Sequence, residues 1–428
     1  MLIIKNALAV DPALKTASHR DIYVDNGVFA AEPIAGAAEL DASGLVAAPA
    51  FFDMHVHFRE PGQTDKEDIA SGSAAAAAGG AARVLCMANT IPPIDSPELV
   101  SAVIQKSKSA PVRVYQAAAV TKGLLGRELT DFAALKKAGA AALSDDGRPI
   151  TDAALMLEAL RRANELDMLI IAHSEDSSLT DGKAINLGAV SERLGISGRP
   201  AFAEEYMVAR DAMLASLAGA RVHIAHVSTA RSVEIIRRAK AEGVRISCET
   251  APHYFSFTED VVAELGSAAK MYPPLRTEKD RLAVIAGLRD GTIDCIATDH
   301  APHTRAEKAL DLEAAPAGVV GLETLLSASL SALYRGGALT LPELMEKLSL
   351  APARLLGLPG GSLAPGNPAD LVLFDPREEY RVDTSLFLSK GRSTPFSGKK
   401  LSGLVMMTLR AGRIIYENPR RPLLWTNL

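Results

Sequence analysis

Eight short apolar runs, spread over residues 51 to 300 and separated by segments of helical period, constrain this 428-residue chain more than any other feature. In order they are FFDMHVH (51–57), RVLCMAN (83–89), VRVYQAA (112–118), AALSDD (141–146), MLIIAHSE (168–175), RVHIAHVS (221–228), VRISCET (244–250) and IDCIATDH (293–300). Helices are expected between them at Lys66–Ala78, Pro97–Lys106, Asp131–Lys137, Thr151–Glu165, Phe202–Leu217, Ala230–Glu242 and Lys279–Leu288. Repeated βα units over this length predict an α/β fold, a (β/α)8 TIM-type barrel. Residues 1–50 and 356–428 read instead as short strands with Pro/Gly turns, so a barrel of 51–355 carries a small composite β-domain formed by both chain termini.

Composition narrows the ligand class. A net charge of −5, with 46 Lys+Arg scattered rather than massed, disfavours nucleic acid and anionic membrane as partners and favours small molecules. No apolar run is long enough to span a bilayer, and the opening "MLIIKNALAVDP" has no basic stretch ahead of its apolar segment, so a cytoplasmic protein is expected. The three cysteines, Cys86, Cys248 and Cys295, each fall inside a strand-like run and are expected to be buried thiols.

Most of the runs end on a group able to do chemistry, and in such barrels the C-terminal strand ends face the active site. His55 and His57 share one strand face at the period of two. An isolated His-x-His is more often a polar strand end than a metal site. Here His173, His226, Asp146 and Asp299 also close apolar runs, and a mixed imidazole and carboxylate set suits Zn2+ and similar ions. Only one of Asp145 and Asp146 can face such a site, because neighbouring strand residues point opposite ways. By the same alternation, His223 is expected to point outward beneath a helix. Arg59, two residues after His57, carries a planar fork suited to pairing bidentately with a carboxylate.

The stretch from Asp53 to Pro61 (DMHVHFREP), and ATDHAPH from Ala297 to His303 with Lys308 after it, resemble the two signatures of dihydroorotases of the amidohydrolase superfamily. The likeness is nearest to the bacterial class I form. It runs on through MANTIPPIDS, SDDG, HSED, HVST, ETAPH, PPLR and GLET. The resemblance implies metal ligation by His55, His57, Asp146, His173, His226 and Asp299, with one or two zinc ions. It implies substrate contacts from Arg59, Asn89 and His303 and from the backbone of Ala317 and Gly318. It further implies reversible cyclisation of N-carbamoyl-L-aspartate to dihydroorotate in pyrimidine biosynthesis, through a metal-activated hydroxide with Asp299 as general acid/base.

Hydantoinases and allantoinases of the superfamily use a carbamylated lysine at the fourth strand. AALSDDG contains no lysine, so a carboxylate bridge from Asp146 is expected in its place. Two departures stand out: Tyr272 replaces a frequent asparagine before PPLR, and Ala50 a usual glycine before FFD. The rival readings are another cyclic amidase, such as an allantoinase or hydantoinase, and a non-catalytic scaffold for aspartate transcarbamoylase. Scaffolds of that kind lose their histidines, and this chain keeps them. Aspartate transcarbamoylase is still a possible partner of an active enzyme, and a homo-oligomer is expected from the family.

Overall fold

The computed structural model describes residues 1–33 and 35–426. Eight parallel strands follow one another around a barrel: β1 (Phe51–Val56), β2 (Ala81–Cys86), β3 (Arg113–Ala118), β4 (Ala142–Leu143), β5 (Ile170–Ala172), β6 (Val222–Ile224), β7 (Ile246–Thr250) and β8 (Cys295–Ile296). Closure is made just past β8, where the backbone N–H of His57 donates to the carbonyl of His300 at 2.8 Å. Along β1 to β3 the side chains divide between the barrel interior and the helix layer. Phe52, Leu85, Met87 and Ala117 fill the barrel, while Phe51, Val84, Val114 and Ala118 pack outward against the helices.

The helices lie where their periodicity places them, with ends set by capping. They are α1 (Ile69–Ala78), α2 (Pro97–Lys106), α3 (Phe132–Ala138), α4 (Ala153–Glu165), α5 (Phe202–Ala218), α6 (Ala230–Ala241) and α7 (Glu278–Asp290). Asp68 accepts from Ser71 N and Asp152 from Leu155 N, so α1 and α4 begin after these residues, later than Lys66 and Thr151. The alanine-rich run is α1, and its small residues have a packing reason. A Cβ at Gly72 would fall 2.4 Å from the Phe58 ring.

Both termini build the second unit from two sheets. One orders Leu424–Thr426, Ala38–Asp41, Leu2–Lys5, Ile22–Asp25 and Val28–Ala30; the other orders Arg413–Glu417, Lys400–Arg410, Leu371–Arg381, Val46–Pro49, Leu8–Asp11 and Thr16–His19. Leu2, Ile4, Phe29, Leu40, Leu371, Leu373 and Met407 form their common core. Among the described residues no helix is long and apolar enough to cross a membrane.

Candidate metal and substrate site

The strands are shorter than the apolar runs, so most of the chemistry-bearing residues sit on the loops just beyond them. Backbone strain marks those loops: Arg59 (φ 58°), His226 (φ 36°) and Asp299 (φ 49°) all occupy the left-handed region without being glycine. On β1 the aim of the histidines comes from a bulge. Met54 and His55 together stand against Leu85, which turns His55, and His57 after it, into the barrel mouth. Asp53 staples this strand to the last one, accepting from His55 N at 3.1 Å and from Thr298 N and Oγ1. Burial pushes its carboxyl up to about 7 against those hydrogen bonds.

Six side chains converge there. Asp146 Oδ1 lies 3.4 Å from His55 Nε2, 3.3 Å from His173 Nδ1 and 3.5 Å from His226 Nε2, while Asp146 Oδ2 lies 3.5 Å from His57 Nε2. Asp299 Oδ1 is 3.1 Å from His57 Nε2 and 3.7 Å from His55 Nε2. His226 Nε2 and His173 Nδ1 approach to 2.9 Å. Two donor groups result, His55–His57–Asp146 and Asp146–His173–His226, sharing one carboxylate. Asp145 turns away and caps the chain after β3, accepting from Val120 N at 2.7 Å and Thr121 N at 3.1 Å.

The outer face of each ring fixes which nitrogen looks inward. Glu249 accepts from His55 Nδ1 at 2.6 Å, which leaves Nε2 as the inward lone pair; that atom is buried with no hydrogen-bond partner in the protein. Asn89 Oδ1 does the same for His57 Nδ1 at 2.8 Å, and its Nδ2 donates to Asp146 Oδ2 at 3.2 Å. Burial would raise Asp299, but the His57 hydrogen bond and the neighbouring imidazoles hold it down at about 2. Asp146 is likewise held well below the usual carboxylate range, against burial, by His55 and the other imidazoles. An orphaned imidazole nitrogen, lone pairs aimed at one another and two ionised carboxylates form a set that fits a divalent cation.

Beside this cluster a cavity of about 280 Å³ opens, lined by Arg59, Asn89, His303, Ala317, Gly318 and Tyr272 together with all of the cluster except buried His55. Arg59 Nε donates to Pro302 O at 3.2 Å, and His303 Nε2 donates to Ala317 O at 2.8 Å. Burial, reinforced by Arg59, lowers His303 to about 3, so its ring is neutral. Asn89 has a function the sequence did not reveal, since its amide orients His57 and Asp146.

The structure corrects the expectation for His223. It pairs with Ile171, which lines the barrel interior, and its Nε2 lies 3.4 Å from Glu249 Oε2 inside the barrel. The alternation argument failed because β6 ends at Ile224 and the chain kinks at His226, so the spacing of 223 and 226 is not read along one strand. Glu249, Asp53 and the buried pair Glu175–Arg199 were not assigned roles from sequence. A charged residue inside an apolar run was the available signal for the first two.

A Dihydro-orotase-like family model matches residues 44–232, and an Amidohydrolase family model matches residues 201–416. The dihydroorotase of Pelotomaculum thermopropionicum is 46% identical over 421 residues, covering 97% of this chain and 99% of that protein. The chain belongs to the dihydroorotase family. The Aquifex aeolicus dihydroorotase is 45% identical, again over 97% of this chain and 99% of the relative. Among solved structures, the L-hydantoinase of Arthrobacter aurescens superposes with a TM-score of 0.88 at 25% identity, over 97% of this chain and 96% of that one. Dihydropyrimidinase from Brevibacillus agri, at 22% identity and a TM-score of 0.85, covers 97% of this chain and 95% of its own and shares the fold.

Tyr272, which stands before PPLR, has a defined setting. Its ring carries the Arg199 guanidinium at 3.7 Å and its hydroxyl donates to Lys183 O at 2.9 Å. Arg199 is in turn paired with Glu175, which lies 3.7 Å from His173 Nε2. The tyrosine therefore forms cavity wall and covers a buried ion pair behind His173.

Proposed function

We propose that the protein interconverts N-carbamoyl-L-aspartate and dihydroorotate, with zinc held by His55, His57, Asp146, His173, His226 and Asp299. The observation that carries this reading is one cavity bordered by the histidine–carboxylate cluster on one side and by Arg59 and His303 on the other. A divalent cation bound in the cluster would supply Lewis acidity, lowering the pKa of water toward about 7 and polarising the ring carbonyl. Asp146 belongs to both donor groups and would serve one ion or two.

Arg59 pairs with the substrate carboxylate through its fork, with Asn89 and His303 bordering the same subsite and the backbone of Ala317 and Gly318 against the ring. In the hydrolytic direction a water oxygen bonds to the ring carbonyl carbon and the amide C–N bond breaks. Asp299, ionised in its setting, takes the water proton on its carboxylate and returns it to the departing nitrogen. Cyclisation reverses each transfer. The absence of lysine from the β4 run favours dihydroorotate over hydantoin or allantoin as substrate.

We also take the protein to associate with copies of itself. Phe202, Tyr206, Met213 and Leu217 are exposed along one stripe of α5, on the order of 500 Å² of apolar surface, close to what one partner of a modest interface buries.

The decisive experiment is to purify the protein, count bound metal and assay interconversion of dihydroorotate and carbamoyl aspartate beside hydantoin and allantoin. Turnover of the first pair with metal present is the expected result. Turnover of only the latter two would replace the substrate assignment.

A further inference from the structure

Behind the cavity wall that carries Ala317 and Gly318 lie two lysines that do not themselves line the cavity. Lys270 is 3% exposed, and its Nζ donates to the carbonyls of Leu312, Glu313 and Ala315 at 2.7, 2.9 and 2.6 Å. Lys308 is 8% exposed, and its Nζ donates to the carbonyls of Pro316 and Gly318 at 3.0 and 2.9 Å. The two are joined, because Gly318 N donates to Lys270 O at 2.9 Å.

Carbonyl dipoles satisfy the N–H donors without cancelling a full charge, and buried cations are ordinarily paired with carboxylates. Among the described residues neither ammonium has a carboxylate oxygen within 4.0 Å. Burial, with Lys270 as a repelling neighbour and Glu307 as a weaker attraction, lowers Lys308 to about 7. The front of the same segment is clasped by His303 through Ala317 O. No slack remains between them: at Gly318 (φ +136°) a Cβ would fall 2.6 Å from Ala301 O and 3.0 Å from His303 Nε2.

We propose that Lys270 and Lys308 are positioning residues for substrate binding, fastening the Leu312–Gly318 segment as a fixed wall and backing it with positive charge that an anionic ligand completes. The second half of this assignment rests on reading the cavity as the site of an anionic cyclic amide. The first half rests on the hydrogen bonds alone.

The test compares wild type with Lys308→Met, Lys308→Arg and Lys270→Met, all with measured metal content. Expected for each methionine variant is a rise of about tenfold in KM for dihydroorotate with kcat within about threefold, and recovery of most of that loss in Lys308→Arg. Amide hydrogen exchange across residues 312–319 should quicken in the methionine variants while the barrel strands stay protected. If Lys308→Met does not fold, Lys308→Gln, which keeps a donor and removes the charge, takes its place. Unchanged KM in both lysine variants, or exchange that quickens equally throughout the barrel, overturns the proposal. Failure of wild type to act on dihydroorotate would instead sink the functional reading, with the exchange data still judging the fastening.

Discussion

Glu249 Oε1 lies 2.6 Å from His55 Nδ1, both atoms wholly inside the barrel. Burial would raise this carboxyl, but His55 and His223 hold it down at about 2, so it accepts and cannot donate. Glu249→Gln keeps the shape but offers His55 an amide that can flip. Metal affinity should fall about 10- to 100-fold, as expected for a lost outer partner of a ligating histidine. Competition with a chelator measures this directly, and an affinity within twofold of wild type would rule out the orienting role.

The adjacent aspartates should separate cleanly. Asp146→Asn removes the carboxylate shared by both donor groups, and bound metal should drop to a small fraction of wild type. Asp145→Asn leaves the cluster intact and weakens the cap on Val120 and Thr121. Elemental analysis of the second variant should show full metal, with a melting temperature lowered by a loss of about 1–3 kcal/mol.

Asp299 carries the proposed proton transfer. Asp299→Asn, reloaded with zinc, should lose turnover at least about a thousandfold. A near-normal rate at full metal occupancy would refute the assignment.

Stability should carry a pH signature from Glu323, which accepts from Leu388 N at 2.7 Å and Ser389 N at 3.2 Å. Burial pushes its carboxyl from 4.5 up to about 7. The folded state therefore holds a proton that the unfolded chain has released. Its stabilising contribution is fully present below pH 4.5 and is lost as pH rises through 7, up to about 3 kcal/mol. Glu323→Gln should flatten that part of the melting-temperature profile, and an unchanged slope between pH 4.5 and 7 would contradict it.

The apolar stripe on α5 predicts concentration-dependent association. Met213→Glu places a charge in its middle, outside the cavity lining, and should shift sedimentation equilibrium toward monomer with kcat unchanged. A wild-type protein that is monomeric at all concentrations would dismiss the stripe as an interface.

Much of the fold was legible in the sequence because barrel periodicity is local: each apolar run names its own strand and each capped helix its own start. Strand ends were less legible, since AALSDD reads as six strand residues yet only Ala142 and Leu143 pair. The six clustered side chains were readable as run endings. Glu249 and Asn89 were readable as run endings too, but not their place behind His55 and His57, because they reach those rings from other strands, a relation no local period encodes. The i, i+2 spacing held for His55 and His57 only because a bulge at Met54–His55 resets the alternation inward, and the rule failed at His223, where the strand stops first. Lys270 gave no sign at all, since a lysine whose partners are carbonyls some forty residues away looks like any surface cation.

Strand Val46–Pro49 finds its antiparallel neighbour at Leu371–Phe374, more than three hundred residues later, and Ala38–Asp41 waits for Leu424–Thr426. At synthesis rates of roughly 5–20 residues per second, these edges leave the ribosome and stay open for on the order of tens of seconds. The first fifty residues thus carry strand edges left unpaired until the last sixty have been made. A stalled or prematurely ended message would release a barrel with sticky, half-finished sheets at its side.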